Sequence, residues 1–155
     1  TSGVMIFAKD KQSKDYLQEQ FADRSVHRVY HALVEGRPEN DSGTIREWLL
    51  EDKFLRVKAV NKKHPNAKEA ITHWSIEDSD EFASLISLTI ETGRRHQIRV
   101  GLANIGCPVV GDNQHGAEGN PIGRIALHAS SLELLHPVTD DPIRFEAPIP
   151  FGPQQ

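Results

Sequence analysis

The sequence predicts an α+β fold built on a mixed, largely antiparallel sheet flanked by a few helices and loops. Six or more segments carry strand-like patterning, and most follow one another at hairpin distances instead of alternating with helices. Only two segments carry helical signals. At 155 residues the chain fits one domain with a sizeable core, and 37% hydrophobic with 26% charged residues is a globular composition.

Taken in order, Val4-Met5-Ile6-Phe7-Ala8 is an apolar run of buried-strand type. The chain starts at Thr1-Ser2-Gly3, without methionine, and enters that run at once, so it reads as cut inside a domain; a linker remnant is the other reading. Asp10 is a plausible N-cap for a helix through Phe21, in which Tyr16, Leu17, Gln20 and Phe21 are partly one-sided. Val26 to Glu35 alternates as a strand, with Arg28, Tyr30, Ala32 and Val34 on one face and His27, Val29, His31 and Leu33 on the other. Gly36 to Gly43 is a turn-rich loop, and Thr44 to Leu50 is short and ambiguous. Phe54 to Val60 reads as a strand, Asn61 to Lys68 as a basic turn. Ala70, Thr72, Trp74 and Ile76 mark one face of the next strand. Glu77 to Glu81 is an acidic turn before the strand Phe82 to Glu91. A helix follows, with Ile98, Leu102 and Ile105 as its apolar face. Gly106 to Asp112 ends it and starts an extended piece. Gly116, Gly119, Pro121 and Gly123 mark a flexible connection. Ile125 to Ala129 and Leu132 to Leu135 look extended, ended by His136-Pro137. Ile143 to Ala147 is the last strand before a proline-rich tail.

Composition removes several classes. A net charge of −4 and a pI near 6.0 argue against indiscriminate nucleic-acid binding but allow a focused basic groove. The single Cys107 excludes an internal disulfide and fits a reducing, cytoplasmic setting; no secretory signal is visible. No apolar run approaches the roughly 20 residues of a membrane helix, so no membrane partner is expected. The eight histidines are scattered and no His-Glu-x-x-His occurs, so no metal site is expected. Dinucleotide, Walker-type and serine-elbow motifs are absent. Cys107 reads as a packed small residue, and Asp112 as a turn former.

Against that acidic background stands Thr92-Gly93-Arg94-Arg95-His96-Gln97-Ile98-Arg99-Val100. Arg95 and Arg99 are four apart, so on a helix they project from one side. Arg99 follows the apolar Ile98 and needs an anion, either a phosphate or a carboxylate elsewhere in the fold. A solvated helix start with a structural ion pair is the bland alternative. Tyr30, mid-strand beside Arg28, is either ordinary strand packing or a stacking platform. Converging with an arginine, it would suit a nucleotide in RNA.

The ordered motifs resemble the RluA-type pseudouridine synthases along nearly the whole chain. Thr1-Ser2-Gly3 before an apolar strand is similar to the end of that family's first motif, His-Arg-Leu-Asp-x-x-Thr-Ser-Gly. Val29 to Gly36 resembles its Lys-x-Tyr-x-Ala-Leu-Val-x-Gly strand, with Arg28 standing for the usual lysine, and Ala67 to Thr72 its Gly-Lys-x-Ala-x-Thr segment. Thr92-Gly93-Arg94 with His96-Gln97-Ile98-Arg99-Val100 resembles its signature. Pro108-Val109-Val110-Gly111-Asp112, Leu127-His128-Ala129 and His136-Pro137 complete the set.

The resemblance implies a partial pseudouridine synthase catalytic domain over residues 1–155, lacking its N-terminal part, that isomerises uridine in rRNA or tRNA. It implies no metal, nucleotide or other cofactor. The family's aspartate nucleophile would lie three positions before Thr1, so the chain alone is expected to be inactive. Tyr30 would stack on the uracil and assist proton transfer. Arg99 would pair with the nucleophilic carboxylate and keep it ionised. Leu127 would wall the base pocket, and Arg28, Arg94 and Arg95 would meet RNA phosphates. Replacing Arg99 by alanine would then disturb folding little. Arg95 stands where the family usually has a small hydroxyl residue, and Gly101 where histidine is frequent; glycine there costs a helix about 1 kcal/mol relative to alanine. Two other readings remain: an inactive RNA-binding module derived from the same fold, and an unrelated protein for a small phosphorylated ligand.

Overall fold

The computed structural model describes residues 1–153. Its centre is a mixed sheet in the order β1-β7-β2-β6-β5-β3-β4, with β8 added to β7. The strands are β1 (Ser2–Gly3), β2 (His27–Glu35), β3 (Ser42–Glu51), β4 (Val57–Val60), β5 (Lys68–Ser79), β6 (Ala83–Ile90), β7 (Leu127–Leu135) and β8 (Pro142–Glu146). Only the β1–β7 pair is parallel. Two helices accompany the sheet, α1 (Lys11–Ala22) and α2 (Gln97–Asn104). The expected α+β class is what forms.

Helix α1 starts where the sequence placed it, because the Asp10 carboxylate accepts from the Ser13 amide at 2.7 Å. Its Leu17 packs with Leu132 and Leu134, and with Val4 and Ile6. The apolar run Val4 to Ala8 is not a strand. Val4 and Ile6 turn inward, while Met5 and Phe7 are 76% and 80% exposed. The strand at this end is instead Ser2–Gly3, beside His128 and Ala129. Ser2 Oγ donates to His128 Nδ1 at 2.7 Å, since Nε2 of that ring donates to the Ala147 carbonyl. Gly3 has no substitute: at φ 108° a Cβ would sit 2.1 Å from the Ala129 carbonyl oxygen.

The ambiguous stretch Thr44 to Leu50 is part of β3. Ile45 and Leu49 are the buried members, and a spacing of four fits either a helix or a strand. Pairing to β5, with Arg46 beside Glu69 at 3.2 Å, makes it extended. β7 is one strand and not two pieces. Its Ser130 is an extra residue opposite Val29–Tyr30 on β2, and Glu77 is the extra residue in β5 opposite β6. Both bulge residues meet the buried His31, Ser130 Oγ at 2.6 Å from Nδ1 and Glu77 Oε1 at 3.0 Å from Nε2. Bulges bend a strand and raise its twist, and the Ser130 bulge does so next to Tyr30.

The main core joins Ala32 and Val34 of β2, Ile86 and Leu88 of β6, and Ile98 and Leu102 of α2. Cys107 is packed there as a small buried residue, and burial pushes its thiol pKa up. Val100 faces a second cluster with Leu49, Val57 and Ala70. The helix thus lies close against β3, and a Cβ on Gly101 would be 3.2 Å from Glu47 Oε1 and 3.4 Å from Ile45. That close approach explains why glycine is used within α2.

Candidate active site

The cationic cluster lies in the turn from β6 into α2. Gln97, buried at the first helical position, holds that turn to β5. Its Oε1 accepts from Thr92 Oγ1 at 2.7 Å and from the Arg94 amide at 3.1 Å. Its Nε2 donates to the Ile71 carbonyl at 3.0 Å and to Thr72 Oγ1 at 2.9 Å. The Ile71 amide closes the network on Thr92 Oγ1 at 3.0 Å. Every hydrogen-bonding position of the Gln97 amide is used, so the loop is rigid where the arginines depart. His96 precedes the helix at φ 55°, in the left-handed region.

This geometry separates the arginines. The helix begins at Gln97, so Arg95 lies outside it and does not share a side with Arg99. Arg95 reaches Glu51, the last residue of β3, at 3.4 Å. The other singled-out residues meet in one cleft of about 270 Å³, walled by Tyr30, Leu127, Arg28, Arg94, Arg99 and Thr1. Arg95 is not on its wall. Leu127 is buried at the start of β7. Among the described residues the Tyr30 hydroxyl has no hydrogen-bond partner. Arg94 Nε donates to the Glu69 carbonyl at 3.0 Å.

Arg99 has an anion within the chain. Its Nε and Nη2 form a fork on Asp112, each at 2.8 Å, and Nη2 also reaches Gln114 Oε1 at 3.3 Å. The Asp112 side chain is 0% exposed and that of Arg99 13%. Asp112 does form the expected turn, its carbonyl accepting from the His115 and Ala117 amides. Its carboxylate has the further role that sequence reasoning missed. Thirteen residues separate the partners, a spacing with no periodic signature; the only clue was that Arg99 required an anion somewhere. Nη1 of Arg99 has no partner among the described residues.

His96 and His115 pack edge to face at 5.8 Å beside this pair. His96 Nδ1 and His115 Nε2 are buried without partners. Burial, reinforced by the Arg99 charge, holds both pKa values below the usual 6.5; for His115 the Asp112 carboxylate partly opposes this. As pH falls below about 6.5, the unfolded chain therefore takes up these protons first, and stability is lost. Urea unfolding midpoints should be lower at pH 5.5 than at pH 7.5, and His96→Asn should reduce the difference. An unaltered difference in that variant would remove His96 from the explanation.

Among the described residues no group of three or more His, Cys, Asp or Glu side chains could hold a metal ion. No helix among them is long and apolar enough to cross a membrane.

A family model described as RNA pseudouridylate synthase matches residues 1–104. The protein named Uncharacterized RNA pseudouridine synthase YhcT of Bacillus subtilis is 37% identical over 152 residues, covering 97% of this chain and 50% of its own length. Ribosomal large subunit pseudouridine synthase D of Xanthomonas campestris is 36% identical over 164 residues, covering 97% and 49%. The protein named Uncharacterized RNA pseudouridine synthase ZMO0505 of Zymomonas mobilis is 37% identical over 156 residues, covering 97% and 69%. The chain thus spans about half the length of the first two relatives. The solved structure of Human RNA Pseudouridylate Synthase Domain Containing 1 superposes with a TM-score of 0.78 at 25% identity, over 93% of this chain and 63% of that one.

Proposed function

The chain belongs to the RNA pseudouridylate synthase family, and from that premise we propose that its cleft is the base-isomerising site of an enzyme acting on uridine in structured RNA. The observation that carries the reading is the meeting of Tyr30, Arg99 and Leu127 in one cleft with Thr1 on its wall. In the reaction the N1–C1′ bond of uridine breaks, the base turns, and a C5–C1′ bond forms. N1 gains a proton and C5 loses one, so the product is an isomer. Tyr30 stacks on the base and its free hydroxyl carries a proton, while Leu127 closes the apolar wall.

Arg99 is held from one side by Asp112, and its remaining Nη1 takes the nucleophilic carboxylate. On this reading that carboxylate belongs to the third residue before Thr1, within about 10 Å of chain. The guanidinium keeps it ionised. Arg28 and Arg94 take phosphates at the cleft, and Arg95 takes one outside it. The name of the Xanthomonas campestris relative, Ribosomal large subunit pseudouridine synthase D, favours rRNA over tRNA. The buried free Cys107 fits a cytoplasmic enzyme.

The test is tritium release from RNA carrying 5-tritiated uridine, with full-length protein on rRNA and tRNA. Release from either supports the enzyme. Release from neither, with RNA still bound, leaves an inactive RNA-binding module.

A further inference from the structure

We propose that a second cavity beside the cleft holds the nucleotide adjoining the target uridine and grips the phosphate between the two through Arg28 and Arg24; the proposal rests on the RNA reading above. The cavity measures about 440 Å³, with Phe21, Arg24, Arg28, His73, Glu91 and Arg94 on its wall. That volume lies in the range of small-ligand sites. Arg28, Ile90, Gly93 and Arg94 line both this cavity and the cleft, so the two adjoin along one wall. Base and neighbour would then occupy adjacent chambers with the phosphodiester at Arg28.

The charges point to an anionic occupant. Glu91 is the one carboxylate on the wall. It is engaged by His73 Nε2 at 2.7 Å, with Thr44 Oγ1 donating to the other ring nitrogen at 2.8 Å. Arg24 lies only loosely beside it, at 4.0 Å and 53% exposed. Arg28 has no carboxylate partner among the described residues, and its Nε is buried without a hydrogen bond. This occurs in a chain where 22 acidic residues outnumber 18 basic ones.

The Arg28 guanidinium is nevertheless fixed. It lies 5.2 Å from the Phe21 ring centre, and a Cβ on Gly93 would be 3.4 Å from its Nη2. A guanidinium held between a ring and a glycine, with a donor unsatisfied, is preorganised for a phosphate supplied from outside. Phe21, Val26 and Ile90 give the chamber an apolar side suited to a base or ribose.

Arg24 allows a test that spares the cleft. Full-length protein, Arg24→Gln and Arg24→Glu would be titrated by fluorescence anisotropy with a labelled uridine hexanucleotide. Uridine and inorganic phosphate would serve as competitors, and thermal melts would check the fold. We expect hexanucleotide affinity to fall about fivefold in Arg24→Gln and further in Arg24→Glu, with the salt slope reduced by about one. The inhibition constant of uridine, which has no phosphate, should not change. Unchanged hexanucleotide affinity in both variants overturns the subsite and leaves the enzyme reading intact. Equal loss for hexanucleotide and uridine overturns it as well. Arg24-dependent binding of inorganic phosphate alone would make the cavity a free-anion site. Absence of any RNA binding by the parent protein would remove the functional reading and the subsite together.

Discussion

Arg99→Ala is expected to lower stability by about 3–5 kcal/mol, the usual cost of removing one partner of a buried ion pair. Asp112 is the reason. Its side chain is 0% exposed and its carboxylate is bound by the Arg99 fork at 2.8 Å. Without Arg99, a charge would be left in the interior or its protonation forced. The loss is a large share of the roughly 5–15 kcal/mol that holds a domain folded. The expectation from sequence alone, that this change would disturb folding little, assumed a partner outside the chain. Combining Arg99→Met with Asp112→Leu should recover much of the loss, because both charges leave together. A double-mutant cycle on urea midpoints measures the coupling directly. If Arg99→Ala unfolded at the parent's urea concentration, the structural role assigned to the pair would be wrong. Arg99→Lys keeps the charge but not the fork, and should fall between parent and alanine.

That pair also shows where legibility ended. Elements that carried a cap or period of their own were readable: α1 from the Asp10 cap, β2 from alternation, α2 from Ile98 and Leu102. Elements decided by a distant partner were not. β3 depended on pairing with β5, and the run Val4 to Ala8 lost its strand to Ser2–Gly3, which alone can pass the Ala129 backbone. The two bulges, and their meeting at His31, exist only in three dimensions. For the site, the ordered motifs named Tyr30, Arg99 and Leu127, and the fold supplied their convergence. Four-residue spacing misled about Arg95, because burying the Gln97 amide network starts the helix after it. Asp112 was recognised as a turn residue, since backbone preference is local, while its ion pair is not.

Tyr30 carries the largest expected effect on rate, and two substitutions divide its roles. Tyr30 lies on β2 opposite Leu88 of β6 and Ala129 of β7, next to the Ser130 bulge, and its hydroxyl has no partner among the described residues, so its position does not depend on that hydroxyl. Tyr30→Phe should therefore leave the fold and RNA affinity unchanged. If the hydroxyl moves a proton, the conversion rate of the full-length protein should fall about 10²-fold or more, as general acid–base groups typically contribute. Tyr30→Ala also removes the stacking face, and affinity should drop by roughly tenfold, in line with about 1–3 kcal/mol per stacked base. Single-turnover rates on 5-tritiated RNA, set beside anisotropy titrations, separate the two effects. A full rate in Tyr30→Phe would confine Tyr30 to stacking and shift the proton to another group in the cleft. There His96 has a lowered pKa and so stands mostly neutral near pH 7, able to accept one.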